Sequence, residues 1–157
     1  MHEAARSNTP ANIQALLDAG ADVMARGEYG STPLHAADQS GTPANIQALL
    51  AAGADVTAWN TFGITPLHEA AQYGTPANIQ VLRAAGADVM ARNKYGSTPL
   101  HYAVKRGKSA NIQPLLDAGA DAKAKNEEGK TPWDLAQKNE KLKGTKGYWA
   151  LNDAQYN

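Results

Sequence analysis

Four histidines, His2, His35, His68 and His101, recur at steps of 33 residues, and four aspartates, Asp22, Asp55, Asp88 and Asp121, recur at the same step. Imidazoles and carboxylates are the side chains of metal centres and of general acid–base catalysis. A zinc ion requires its ligand atoms about 2.0–2.1 Å away. Equivalent residues of stacked helical units stand roughly one helix diameter apart, about 10 Å, too far to share an ion. Each aspartate falls just past a predicted helix end, where short polar side chains satisfy backbone groups. The chain has no Ser/His/Asp set, no Gly-x-Gly-x-x-Gly and no phosphate-cradling loop. With no cysteine, disulfides and thiolate metal sites are excluded. The expectation is a non-enzyme that uses no catalytic residue, no cofactor and no metal.

The elements that carry these residues follow from the same period. Gly30, Gly63, Gly96 and Gly129 are spaced by 33, as are Thr32, Thr65, Thr98 and Thr131, each followed by proline. Gly20, Gly53, Gly86 and Gly119 keep the step, and Asn12-Ile13-Gln14 returns at 45, 78 and 111. Thr32-Pro33 predicts a helix start, with the threonine as cap and the proline at the first helical position. Gly41 ends that helix, and Thr42-Pro43 starts a second one. There Ile46, Leu49 and Leu50 form an apolar stripe at i, i+3 and i+4. Gly53 supplies a left-handed stop, and Ala54-Asp55-Val56 leads into a polar hairpin-type connection ending at Gly63. One such unit cannot bury its own faces, so neighbours must stack into a solenoid.

Gly-Ser-Thr-Pro-Leu-His at 30–35 and 96–101, Gly-Ile-Thr-Pro-Leu-His at 63–68 and the repeated Ala-Gly-Ala-Asp segments resemble the ankyrin repeat over essentially the whole chain. The resemblance implies an all-α solenoid of helix-turn-helix units joined by β-hairpin-like loops. It also implies that the repeated histidine serves the hydrogen bonding of the turn. The single domain, 1–157, divides into a partial first repeat (1–26), repeats at 27–59, 60–92 and 93–125, and a C-terminal capping repeat (126–157). The Thr-Pro-Ala-Asn start of the second helix resembles bacterial versions of the repeat. Asp22-Val23-Met24-Ala25-Arg26 reappears 66 residues on, whereas the intervening unit reads Asp55-Val56-Thr57-Ala58-Trp59, as duplication of a repeat pair would produce.

Formal charge is zero, but residues 1–90 hold three basic and eight acidic side chains, and residues 91–157 hold twelve basic and seven acidic. Nucleic acid would be favoured by an overall basic excess, which is absent, so none is expected as a partner. No apolar run approaches the roughly 18–20 residues of a membrane span, and the first six residues are too polar for a signal peptide. The compartment stays open, cytoplasmic by default, with periplasmic or secreted placement also compatible.

Against this regular frame, some positions vary from repeat to repeat. Tyr29, Phe62 and Tyr95 form one aromatic row at the hairpin tips, with Trp59 and Ile64 beside its middle. Tyr73, Tyr102, Lys105 and Arg106 continue it along the first helices. Aromatic residues and arginine anchor protein interfaces, and by resemblance these positions match those that usually contact ligands. The expected function is binding of a protein partner through the tips and the concave first-helix face. Two alternatives stand beside it: head-to-tail self-association through the uncapped first repeat, and a scaffold piece of a longer ankyrin protein. Two residues break register. Asp38 stands where other units have Ala5, Ala71 and Val104, and is expected to be a partly exposed aspartate near a helix end, with a polar contact reached by a partner as the alternative. Pro114 stands inside a second helix, which is expected to start late or bend.

Overall fold

The computed structural model describes residues 1–7, 9–40 and 42–156, with the side chains of Ser7 and Ser40 excluded. The helix stop expected at Gly41 lies outside the described residues. Ten α-helices follow in order: α1 (His2–Ser7), α2 (Pro10–Asp18), α3 (Pro33–Ser40), α4 (Pro43–Ala51), α5 (Pro66–Gln72), α6 (Pro76–Ala84), α7 (Pro99–Arg106), α8 (Ser109–Asp117), α9 (Pro132–Ala136) and α10 (Lys146–Asp153). No strand occurs among the described residues. The odd-numbered helices pack in sequence, α1 on α3, α3 on α5, α5 on α7 and α7 on α9. The even-numbered ones do the same from α2 to α10, giving a two-layer all-α solenoid.

Between the layers lies one continuous core. Leu34, Leu67 and Leu100 of the first helices meet Ile46, Leu49, Ile79, Leu82, Ile112 and Leu115 of the second. All are essentially inaccessible, and burying each contributes about 1.5–3 kcal/mol. Alanines Ala37, Ala70, Ala71 and Ala103 keep the first helices thin enough to stack. Threonine caps the second helices as the sequence indicates: Thr42 Oγ1 accepts from Asn45 N–H at 3.3 Å, and Thr75 Oγ1 from Asn78 N–H at 3.4 Å. Gly53 and its counterparts past α2, α6 and α8 have φ of 84–94°, the left-handed stop that glycine adopts without strain.

The late start expected for α8 does not occur. The helix begins at Ser109, in register with Pro43 and Pro76, and runs nine residues like α4 and α6. Pro114 sits at its sixth position, so the lost bond is the one to Ala110, in the exposed first turn. Ser109 has a reason to replace proline. Its hydroxyl accepts the Gly147 N–H at 3.0 Å and ties α8 to α10. A Cβ on Gly147 would lie 2.5 Å from the Ser109 carbonyl oxygen, so that contact admits only glycine.

Candidate protein-binding surface

Each hairpin tip is built around an asparagine. Asn60 Oδ1 accepts the N–H groups of Phe62 (2.9 Å) and Ile64 (3.1 Å). Asn93 does the same for Tyr95 and Ser97, and Asn126 for Glu128 and Lys130. The first tip has Gly27 at this register position, and there alone a tip residue other than glycine, Tyr29, takes a positive φ of 55°. The tips are also tied to one another through backbone. Thr61 N–H donates to the Tyr29 carbonyl at 2.8 Å, Lys94 N–H to Phe62 at 3.0 Å, and Glu127 N–H to Tyr95 at 3.0 Å. Arg26 braces the first loop to the second, its Nη1 donating to the carbonyls of Gly30 and Trp59. Arg92 braces the third to the fourth in the same way, through Gly96 and Lys125.

The histidines are the bolts of this frame. Nε2 of His2, His35, His68 and His101 meets the backbone carbonyl of Ser31, Ile64, Ser97 and Lys130, respectively, at 2.7–3.0 Å. Because that partner only accepts, Nε2 carries the proton, which leaves Nδ1 of His35, His68 and His101 as the acceptor. Nδ1 of His35, His68 and His101 then accepts both the N–H (3.2 Å) and the hydroxyl (2.9 Å) of the threonine three residues earlier. This is a capping box with histidine in the role usually taken by glutamate or glutamine. Burial favours the neutral ring and lowers His35 and His68 to about 4 and His101 in the same direction.

Of the nine residues that the sequence suggests for a binding surface, eight fall into four places and Ile64 into none of them. Tyr29 and Phe62 touch at the tips, ring centroids 5.5 Å apart, with Phe62 half-buried. Tyr95, Tyr102 and Lys105 line one cleft of about 480 Å³, where the Tyr102 hydroxyl accepts from Asn93 Nδ2 at 2.8 Å and its ring meets His68 edge-on. Tyr73, at the end of α5, carries the Arg106 guanidinium 4.8 Å above its ring. Trp59 is 67% exposed and lines a different cleft, of about 520 Å³, with Val56, Ala91, Arg92 and Lys94. Ile64 is half-buried and lines neither cleft. Trp59 occupies the register position of Arg26 and Arg92, so the middle unit lacks that brace and presents an indole instead.

The tip asparagines are a further functional feature of the repeat, beyond the residues expected above. Asn60, Asn93 and Asn126 share the 33-residue step, and their replacement by Gly27 was the signal available. Asn45 and Asn111, seen only as markers, are buried clamps. Asn111 Nδ2 reaches the carbonyls of Ala70, Ala71 and Gly74 at 3.1–3.2 Å, and Asn45 Nδ2 reaches that of Ala5 at 3.2 Å.

Asp38 departs from expectation. It is fully buried rather than partly exposed, and neither carboxylate oxygen has a hydrogen-bond partner among the described residues. The α1 and α5 helices close over it from both sides, which a helix-end position did not reveal. Burial, reinforced by the charge of Glu69, raises its pKa well above the usual carboxylate range. Glu69 is itself buried and raised by desolvation, opposed by a hydrogen bond to Gln39 and by Arg6. Arg6 Nη2 in turn donates to Gln39 Oε1 at 2.9 Å.

Stacked helix pairs with bolted turns and linked tips define a repeat solenoid. A family model described as "Ankyrin repeats (3 copies)" matches residues 1–93, and one described as "Ankyrin repeats (many copies)" matches residues 82–136. The chain belongs to the ankyrin repeat family. Ankyrin repeats are generally protein–protein interaction modules and typically non-catalytic. A comparison with curated proteins returned no match. Among the described residues no helix is long and apolar enough to cross a membrane.

Proposed function

We propose that this chain binds a protein partner through its hairpin tips and the exposed face of its first helices, using Tyr29, Trp59, Phe62, Ile64, Tyr73, Tyr95, Tyr102, Lys105 and Arg106. The observation that carries the reading is Trp59. A large aromatic side chain stands 67% exposed at a position where two other units place a bracing arginine. Exposed aromatics beside a cleft are the usual anchors of an interface. Backbone hydrogen bonds and the Arg26 and Arg92 braces tie the tips together, an arrangement that would limit the conformational entropy lost on association. In this reading the domain is 1–157, with a partial repeat to residue 26, three repeats bounded at 59, 92 and 125, and a C-terminal cap.

The test is affinity capture from lysate with wild type and with a Trp59→Ala/Phe62→Ala/Tyr95→Ala variant whose helicity is unchanged. A protein held by wild type and released by the variant is the expected result, since anchors of this kind each contribute about 2 kcal/mol or more. Capture of the same set by both proteins sinks the tip assignment. The unequal charge of the two halves favours a second reading, head-to-tail self-association. It requires a sedimentation coefficient that rises with concentration and falls back when salt is added.

A further inference from the structure

Beyond the aromatic surface, the carbonyl ends of α7 and α9 face a cleft of about 450 Å³ walled by Lys105, Arg106, Lys138 and Lys141. None of the four is paired with a carboxylate among the described residues. Glu140, the one acidic residue in the wall, is engaged by Lys143 at 2.6 Å. Just outside, Lys108 Nζ donates to the Tyr73 carbonyl at 3.1 Å and adds a fifth positive charge.

The backbone that carries these side chains is clamped. Asn139 Nδ2 donates to the carbonyls of Val104 (2.7 Å) and Lys105 (3.2 Å), clamping the segment after α9 onto the end of α7. Gly107, with φ of 74°, brings the chain so near Lys141 that a Cβ there would lie 2.9 Å from the Lys141 Cβ. Arg106 is held over Tyr73. Like charges gathered in this way repel one another. The negative ends of the helix dipoles offset only part of that repulsion. Lysines that serve solubility alone would be spread over the surface rather than gathered around one cleft.

We infer that this cleft docks an acidic segment of the protein partner, one rich in aspartate and glutamate. The inference rests on the protein-binding reading above and gives the partner a chemistry. Lys105 lines both this cleft and the one containing Tyr95 and Tyr102, so the two surfaces are continuous. Glu127 and Glu128 line the far part of the aromatic cleft and confine the acidic segment to the helix ends. Leu135 is the one apolar side chain in the wall, and the rings of Tyr95 and Tyr102 stand in the adjoining cleft beside Glu127 and Glu128, whose charge opposes a phosphate backbone there. A single-stranded nucleic acid site normally supplies such rings along a longer basic groove.

The experiment is a fluorescence-anisotropy titration of fluorescein-labelled decaglutamate at low salt. It compares wild type, Lys105→Glu/Lys141→Glu and Lys123→Glu/Lys125→Glu. The two variants change net charge equally, and Lys123 and Lys125 are exposed in the loop after α8, away from the cleft. Saturable binding by wild type is expected, weakened about tenfold in the cleft variant and by no more than about twofold in the loop variant. Added salt weakens the wild-type complex. Three results overturn the inference: no saturable binding, equal weakening in both variants, or decathymidylate binding about tenfold more tightly than decaglutamate. The aromatic triple variant, titrated in parallel, retains the decaglutamate complex. Failure of the tip assignment and failure of the cleft assignment therefore give different results.

Discussion

Asp38 holds a carboxyl where the same position of two other units holds a methyl group, Ala5 and Ala71, both fully buried. A buried polar group without a hydrogen bond costs free energy, and the ionised form costs most. The folded chain keeps Asp38 protonated to higher pH than the unfolded chain does. The folded state therefore binds the extra proton, and stability is lost as pH rises through the raised pKa. Glu69 of α5, whose charge acts on Asp38, is raised in the same direction; Arg6 of α1 acts on Glu69 and reaches Gln39; α4 contributes no ionisable side chain. Asp38→Ala is expected to raise unfolding free energy near pH 8 by roughly 1–3 kcal/mol. The gain should shrink toward pH 5 in urea titrations. A variant less stable than wild type at pH 8 would show that the carboxylate has a partner. Position 38 was legible as an anomaly in register, but its burial was not, because that depends on two helices from neighbouring units.

Helix starts were the most legible elements, because each Thr-Pro pair combines a cap with a preset φ. The start of α8 was misread for the same reason. Ser109 has no proline ring, and the bond that explains it comes from Gly147, 38 residues further on. With α8 regular at both ends, Pro114 is left as a cost without a visible return. Its register partner in α4 is Ala48, so the site admits alanine. Pro114→Ala restores the bond to Ala110 and is expected to add roughly 1–3 kcal/mol, reduced by the greater freedom of the unfolded chain. Thermal unfolding of the single variant checks it; a lower midpoint would assign the proline a packing role. The basic cleft was illegible at this scale. Lys138 and Lys141 belong to the irregular segment after α9, which no period places beside Lys105.

For the molecule as a whole, the stack is bolted at each step by a histidine, and burial favours the neutral ring at His35, His68 and His101. As pH falls from 6.5 toward 4, the unfolded chain takes up protons that folded His35 and His68 reject. Stability is therefore lost on acidification across that window, by roughly 2–3 kcal/mol for each of the two rings. A His35→Gln/His68→Gln variant is expected to be weaker at pH 7 yet flatter between pH 7 and 5; an unchanged slope would place the acid sensitivity elsewhere. The solenoid itself was plain from the 33-residue step, and the aromatic row was plain from its irregularity within that step. The division of the aromatics among separate clefts was not, since it depends on loop geometry rather than on order. The links from tip to tip run from amide to carbonyl and do not depend on the side chains of residues 29, 62 and 95. Under the proposed function, the lettering on this surface is thus separate from the page that holds it: an exchange at position 95 would change what is bound while leaving the tip-to-tip links in place, and a new specificity would lie only a few substitutions away.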